Sequence, residues 1–139
     1  MAKTTIQVTS PRHLPETVRT LRLLGLSLAS STSPHPASFT ISPIPFTTSA
    51  QSYIPKNGGT SSTPIPTLFV PQSTTPKKTL ALLRQLGTSA PGPFFAAGPA
   101  GATNAALFAA ACLAPRHPKI RRALHRFRSR QTLSVPLHP

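Results

Sequence analysis

The chain has 139 residues, enough for one compact domain, and it carries 15 Lys and Arg against a single acidic residue, Glu16, for a formal net charge of +14. This imbalance excludes the mixed-sign surface of an ordinary soluble domain and indicates a polyanionic partner that carries phosphate. Hydrophobic residues make up 38%, too many for a typical charged disordered chain, although 18 prolines indicate a small folded core.

The single cysteine, Cys112, excludes an internal disulfide framework and a cysteine-rich zinc site. Because it lies in an alanine-rich segment, we expect it to be buried as a small hydrophobe. The histidines show no metal-ligand spacing supported by carboxylates or thiols, so we expect no metal. The longest apolar run, residues 105–114, is too short to span a membrane.

Residues 1–24 are rich in Thr, Ser and Arg and poor in acid, as transit peptides are. The same residues also fit a strand and a helix. "TTIQVT" (4–9) alternates and is β-branched, which predicts a first strand. In the helix that follows, Pro15 suits the first turn and Gly25 the position just past the end. "LSLAS" (26–30) predicts a second strand. The apolar stripe of the helix comprises Val18, Leu21 and Leu24.

Residues 31–64 are dominated by Ser, Thr and Pro, and we expect them to be irregular. "FTISPIPF" is compatible with no more than a short edge strand, because its prolines remove hydrogen-bond donors from the ladder. "KNGGT" (56–60) predicts a turn or loop. We expect residues 34–56 to run extended against a partner.

"IPTLFVP" (65–71) predicts a buried strand of the continuous apolar kind found in parallel sheets. "TPKKTLALLRQLG" (75–87) predicts a helix that Thr75 caps and Gly87 ends. Its inward residues are expected to be Leu80 and Leu83.

"GPFFAAG" (92–98) predicts one more short strand, and helices are predicted at 103–114 and 118–133. In the first of these helices, the alanines permit close approach to a neighbour, while Leu107 and Phe108 are expected to fill a core. Strands alternating with helices at this spacing predict a small α/β layer fold with a mostly parallel sheet.

"GPAGATNAALFAAACLAPRHPKIRRALHRFRSRQT" (98–132) closely resembles the C-terminal end of the PurE family, the aminoimidazole ribonucleotide carboxylases and mutases. Family members carry an "AGAxNAAL" segment, an apolar helix, a loop with proline and a helix ending near "FRxxQT". "TPIPTLFVP" (63–71) resembles the family strand "TPLPVIGVP", so the likeness extends upstream in order. It implies a three-layer flavodoxin-like fold without metal or organic cofactor, whose C-terminal helices contact neighbouring subunits in a homo-oligomer.

Few of the family's functional residues carry over. Its chemistry moves a carboxylate on an aminoimidazole ribonucleotide and needs acids for ribose and arginine for phosphate. At the matching positions the acids are absent, and Pro36 replaces the arginine. We therefore expect a vestigial site without catalysis. The surviving positions are Ser10, Ser33, His35, Gly58 and Gly59.

Seven of the 15 Lys and Arg fall in residues 116–130. On a helix, an inward stripe would comprise Ile120, Leu124 and Phe127. No acid is interleaved with the cations, so a helix stabilised by its own ion pairs is excluded. Arginine forks bind phosphates, whereas scarce aromatics disfavour readers that stack bases. The expected RNA-binding residues are Arg116, Lys119, Arg121, Arg122, Arg126, Arg128 and Arg130.

The sequence therefore favours one degenerate PurE-like domain over residues 1–139, acting without catalysis as a basic structural protein in an RNA-rich assembly. A mitochondrial ribosome is the expected assembly, with structured ribosomal RNA and neighbouring proteins as partners; a cytoplasmic location is the alternative. "IQVTS" and "RTLRLLGLS" (6–27) also resemble the opening of a small ribosomal protein family of the large subunit. Two other functions stay open: a PurE-type carboxylase or mutase with residual activity, and a scaffold paralogue that assembles with active subunits.

Overall fold

A computed structural model describes residues 5–29, 37–45, 65–73, 75–89 and 92–136. The strands are β1 (Thr5–Val8), β2 (Ser27–Ala29), β3 (Phe39–Pro45) and β4 (Thr67–Gln72). The α-helices are α1 (Pro15–Leu23), α2 (Pro76–Ser89), α3 (Pro99–Leu113) and α4 (Pro118–Leu133). One 3-10 turn, Pro11–His13, connects β1 to α1.

The strands form one 4-stranded sheet in the order β2-β1-β3-β4, and every neighbouring pair is parallel. Ile6 of β1 lies opposite Leu28 on one side and Phe39 on the other, while Ile41 of β3 lies opposite Leu68. The connection from β2 to β3 therefore passes over β1. This order is compatible with a flavodoxin-like topology, and the expected α/β class with a parallel sheet is confirmed.

Strand β3 corrects the prediction for the middle of the chain. Residues 31–64 were expected to be irregular, with at most an edge strand, and residues 34–56 to be held by a partner. Phe39–Pro45 instead lies between β1 and β4, inside the sheet of its own chain. The loop predicted at 56–60 lies outside the described residues.

The position of its prolines explains why β3 tolerates them. Successive residues of a strand direct their N–H groups to opposite neighbours. The Thr40 N–H donates towards β4, 2.9 Å from the carbonyl oxygen of Pro66, so positions 43 and 45 face the side of β1. Because β1 ends at Val8, positions 43 and 45 lie beyond it. The missing N–H groups of the two prolines therefore remove no hydrogen bond between β3 and β1.

The short strand expected at 92–98 is reduced to a single parallel bridge between Phe69 and Phe94. The Phe69 N–H donates to the carbonyl of Pro93 at 2.9 Å, and the Phe95 N–H donates to the carbonyl of Phe69 at 3.0 Å. Gly98, with φ of 85°, then turns the chain into α3. The early turn leaves too few extended residues for a longer strand.

Helices cover both faces of the sheet. Alternate residues of β4 point to opposite sides, so Leu68 and Val70 join the larger core beneath α1, α3 and α4, whereas Phe69 points to α2. The smaller core on the α2 side consists of Ile44, Phe69, Leu82 and Leu86. The result is a three-layer arrangement of helix, sheet and helix.

The end of α1 follows the prediction from Gly25. This residue has φ of 72°, a conformation that glycine adopts without steric cost. Its N–H donates to the carbonyl of Arg22 at 3.0 Å, and the Leu26 N–H donates to the carbonyl of Leu21 at 3.0 Å. These two bonds form a Schellman motif, which satisfies the last carbonyls of the helix.

Helix α2 differs from the prediction in its inward face and its end. Thr75 does cap the helix, because the Lys78 N–H donates to its Oγ1 at 3.4 Å. The buried residues are Leu82 and Leu86, whereas Leu80 is 51% exposed and points away from the sheet. The helix also continues past Gly87 to Ser89, since a helical glycine weakens a helix without ending it.

Helix α3 starts at Pro99 rather than at residue 103, because Pro suits the first helical position. Cys112, expected to be buried, is exposed, and Phe108, expected in the core, is 43% exposed. The two residues are four positions apart and lie on the same stripe of α3, which faces away from the neighbouring helices. The buried stripe consists of the small residues Gly101, Ala102, Ala105, Ala106, Ala109 and Ala110.

The first turn of α3 lies close against the backbone of the segment before it. A Cβ added to Gly101 would overlap the carbonyl oxygen of Ala96, so no side chain fits there. One residue on, the carbonyl oxygen of Ala102 accepts a buried hydrogen bond of 2.8 Å from the Thr17 hydroxyl of α1. The hydrogen bond joins α3 to α1, whereas the contact at Gly101 fixes the turn that leads into α3.

We predict that Gly101→Ala destabilises the protein although alanine is the better helix former. The added methyl group must displace backbone, at a cost of about 1–3 kcal/mol. The matched control is Gly87→Ala in α2, where nothing lies within 4 Å of the added Cβ. The control should gain up to about 1 kcal/mol. Urea unfolding measures both variants, and shifts of the same sign would contradict the close contact.

Candidate nucleic-acid interface

The positions that resemble a PurE site are only partly described. Ser10 lies two residues after β1, at the carboxyl end of the sheet and at the point between β1 and β3 where the strand order reverses. Beside it, the Thr9 hydroxyl donates to the Ser42 hydroxyl at 3.0 Å. Ser33, His35, Gly58 and Gly59 lie outside the described residues. The described part of this edge therefore offers hydroxyl groups and no carboxylate.

The one acidic side chain of the protein lies far along the chain from the basic helix. Glu16 is in the first turn of α1, and its Oε2 is 3.9 Å from a guanidinium nitrogen of Arg19. Both side chains are exposed, so this is a weak surface pair. It follows that the cations of α4 have no carboxylate side chain left with which to pair.

Helix α4 lies on the core by one stripe. Pro118 occupies its first turn, and Ile120 and Leu124 are buried beside α3, with Phe127 half-buried behind them. The inward stripe expected from the sequence is therefore confirmed. The cations predicted to bind RNA all have exposed positions on α4 or in the turn before it; they are Arg116, Lys119, Arg121, Arg122, Arg126, Arg128 and Arg130.

The fold adds cations from α1 to this surface, which the sequence analysis did not include. The end of α1 and the first turns of α4 line an open groove of about 420 Å³. Arg22 lies on its α1 side, and Lys119, Arg122 and Arg126 lie on its α4 side. The helical spacing places Arg22 on the solvent side of α1. Its closeness to α4 depends on the packing of both helices on α3.

Other kinds of site find no support in the described part of the chain. No group of three or more His, Cys, Asp or Glu side chains is placed to hold a metal ion there. None of its helices is long and apolar enough to cross a membrane. Comparison with protein-family models gives no match, and comparison with curated proteins gives none.

We predict that Glu16→Gln strengthens binding to a polyanion without changing stability. The substitution removes the only negative side chain and frees Arg19, whereas the exposed pair contributes at most about 0.5 kcal/mol. The salt concentration that elutes the protein from immobilised heparin should therefore rise. Arg19→Gln breaks the same pair and should lower that concentration, with equal urea unfolding. Shifts in the same direction for both variants would contradict a charge-driven surface.

Proposed function

We propose that this protein is a non-catalytic, basic structural protein that binds structured RNA through α4. One observation carries the proposal: α4 is held on the core by Ile120 and Leu124 and leaves its cations exposed, in a chain with one acid. A phosphate backbone supplies the missing negative charge, and release of its counterions drives the association.

The chemistry of the surface favours duplex RNA over single strands. Readers of single strands stack bases on exposed aromatic rings. Among the described residues, the exposed phenylalanine rings are Phe94, in the segment before α3, and Phe108, on α3. Helix α4 contributes only the half-buried Phe127. Arginine forks bind phosphates without reading sequence, as duplex RNA is bound across its backbone.

A degenerate PurE-like domain in a mitochondrial ribosome is the finer form of this proposal. The parallel sheet and its strand order support the PurE-like part, since they are compatible with the topology that the resemblance implies. The outward stripe of α3, with Phe108 and Cys112, offers apolar surface to neighbouring proteins. Cleavage after residue 24 would remove β1 and α1, so a mitochondrial form would retain the residues that resemble a transit peptide.

We predict that Arg122→Gln, Arg126→Gln and Arg130→Gln together weaken RNA binding while the protein stays folded, because all three side chains avoid the buried stripe. The slope of log affinity against log salt should fall by roughly one unit for each phosphate that the variant no longer binds. Fluorescence anisotropy with a labelled RNA duplex of about 16 base pairs measures both quantities.

The matched control removes three cations from α2, on the opposite face of the sheet. It combines Lys77→Gln, Lys78→Gln and Arg84→Gln and changes the net charge equally. If net charge alone governs binding, both triple variants lose the same affinity. A wild-type protein that does not bind the duplex, or an α4 variant with unchanged affinity and salt slope, contradicts the proposal.

We predict no PurE-type turnover by the purified protein. The described switch point holds hydroxyl groups at Thr9, Ser10 and Ser42, and no carboxylate that could hold a ribose. Incubation with carboxyaminoimidazole ribonucleotide, followed by absorbance, should give the same signal for wild type and Ser10→Ala. Turnover by the wild type that Ser10→Ala removes would favour the carboxylase or mutase.

A further inference from the structure

Three open grooves lie next to one another on the surface of α1 and α4. The first, of about 600 Å³, runs along α1 and shares Arg22 and Leu23 with the groove between the helices. That groove in turn shares Arg122 and Arg126 with a third, of about 240 Å³, on α4. Because each neighbouring pair shares wall residues, the three grooves lie side by side across both helices, and we call this row of grooves the track.

The charged side chains that line the track are all basic, and they lie among apolar ones. No acidic side chain lines it, and Glu16 is bound to Arg19 at its α1 end. Pro11, Pro15 and the exposed Leu23 are among its uncharged lining residues. The basic side chains along it are Arg12, Arg19, Arg22, Lys119, Arg122, His125 and Arg126.

We infer that the track holds one phosphodiester backbone of an RNA duplex, bound by arginines of α1 as well as α4. This inference rests on the proposed function, since it names the part of RNA that the basic surface binds. Lys119 and Arg126 are separated by about 10 Å along the helix axis. This length is enough for a few consecutive phosphates of one strand of a duplex.

The end of α1 is built so that it does not repel this backbone. A helix C-terminus normally carries partial negative charge on its free carbonyls. Here the carbonyls of Leu21 and Arg22 accept hydrogen bonds from Leu26 and Gly25 in the Schellman motif, and Arg22 projects from the same turn. Across the groove, the first turn of α4 presents its N-terminal, positive end. Gly25, without a side chain, keeps the floor between them open.

An RNA backbone that lies along the track would contact both α1 and α4. Variants outside α4 therefore test the track separately from the proposed binding of RNA by α4. The test variant is Arg12→Gln with Arg22→Gln. The matched control is Lys77→Gln with Arg84→Gln, which removes two exposed cations of α2 that line none of the three grooves. Arg22→Glu alone is the second test variant and places a repulsive carboxylate in the middle of the track.

Anisotropy with the labelled RNA duplex should show at least about a hundredfold loss of affinity for the variant with Arg12→Gln and Arg22→Gln, as expected for two charge-assisted contacts. Its salt slope should fall by roughly two units, and Arg22→Glu should lose at least as much affinity. The control should keep affinity within about threefold and change the slope by less than about one unit. Urea unfolding establishes that each variant is folded.

Each other outcome overturns the inference in a distinct way. Equal losses in the α1 variant and its control mean that the duplex senses net charge, and the proposed function stands without the track. No loss in the α1 variants, with loss in the α4 triple variant, confines the site to α4. Equal binding of polyglutamate at matched charge indicates an acidic protein as the partner. Absence of duplex binding by the wild type contradicts the proposed function as well.

Discussion

Helix α3 lies against its neighbours at a distance that only very small side chains permit. The alanines of α3 occupy the core beside α1 and α4, and Gly101 packs on the backbone of Ala96 in the segment that leads into the helix. The hydrogen bond from Thr17 to the carbonyl of Ala102 adds a fixed point between α1 and α3. Since α1 and α4 both pack on α3, this close approach determines how the cations of the two helices are placed relative to each other.

The consequence of that placement is electrostatic. Cations from residues 12–22 and from residues 119–126 line adjacent grooves, and the single acid of the chain is paired with Arg19. In the isolated protein these charges repel one another and are balanced by solution ions. A phosphate backbone replaces those ions with fixed negative charge, so binding relieves the repulsion and releases the counterions of the RNA. The fold thus places many of the excess cations of the chain on one surface.

Local patterns in the sequence predicted local features well. They predicted poorly the features that depend on packing between distant parts of the chain. The end of α1 at Gly25 and the buried stripe of α4 follow from helical spacing and glycine conformation, and both were found. Strand β3 was predicted as at most an edge strand rather than an inner one, because the cost of Pro43 depends on where β1 ends. Arg22 was left out of the site because its nearness to α4 depends on the packing of α3. Of the vestigial positions, only Ser10 lies among the described residues.

We propose that the RNA backbone contacts the surface shared by α1 and α4. Modification of arginine side chains by phenylglyoxal, read by mass spectrometry with and without the RNA duplex, tests it most directly. We expect the duplex to protect Arg22, Arg122 and Arg126 and to leave Arg84 on α2 as reactive as in the free protein, although all four are exposed. Equal protection of Arg84, or unchanged reactivity of the arginines on α1 and α4, would contradict the account.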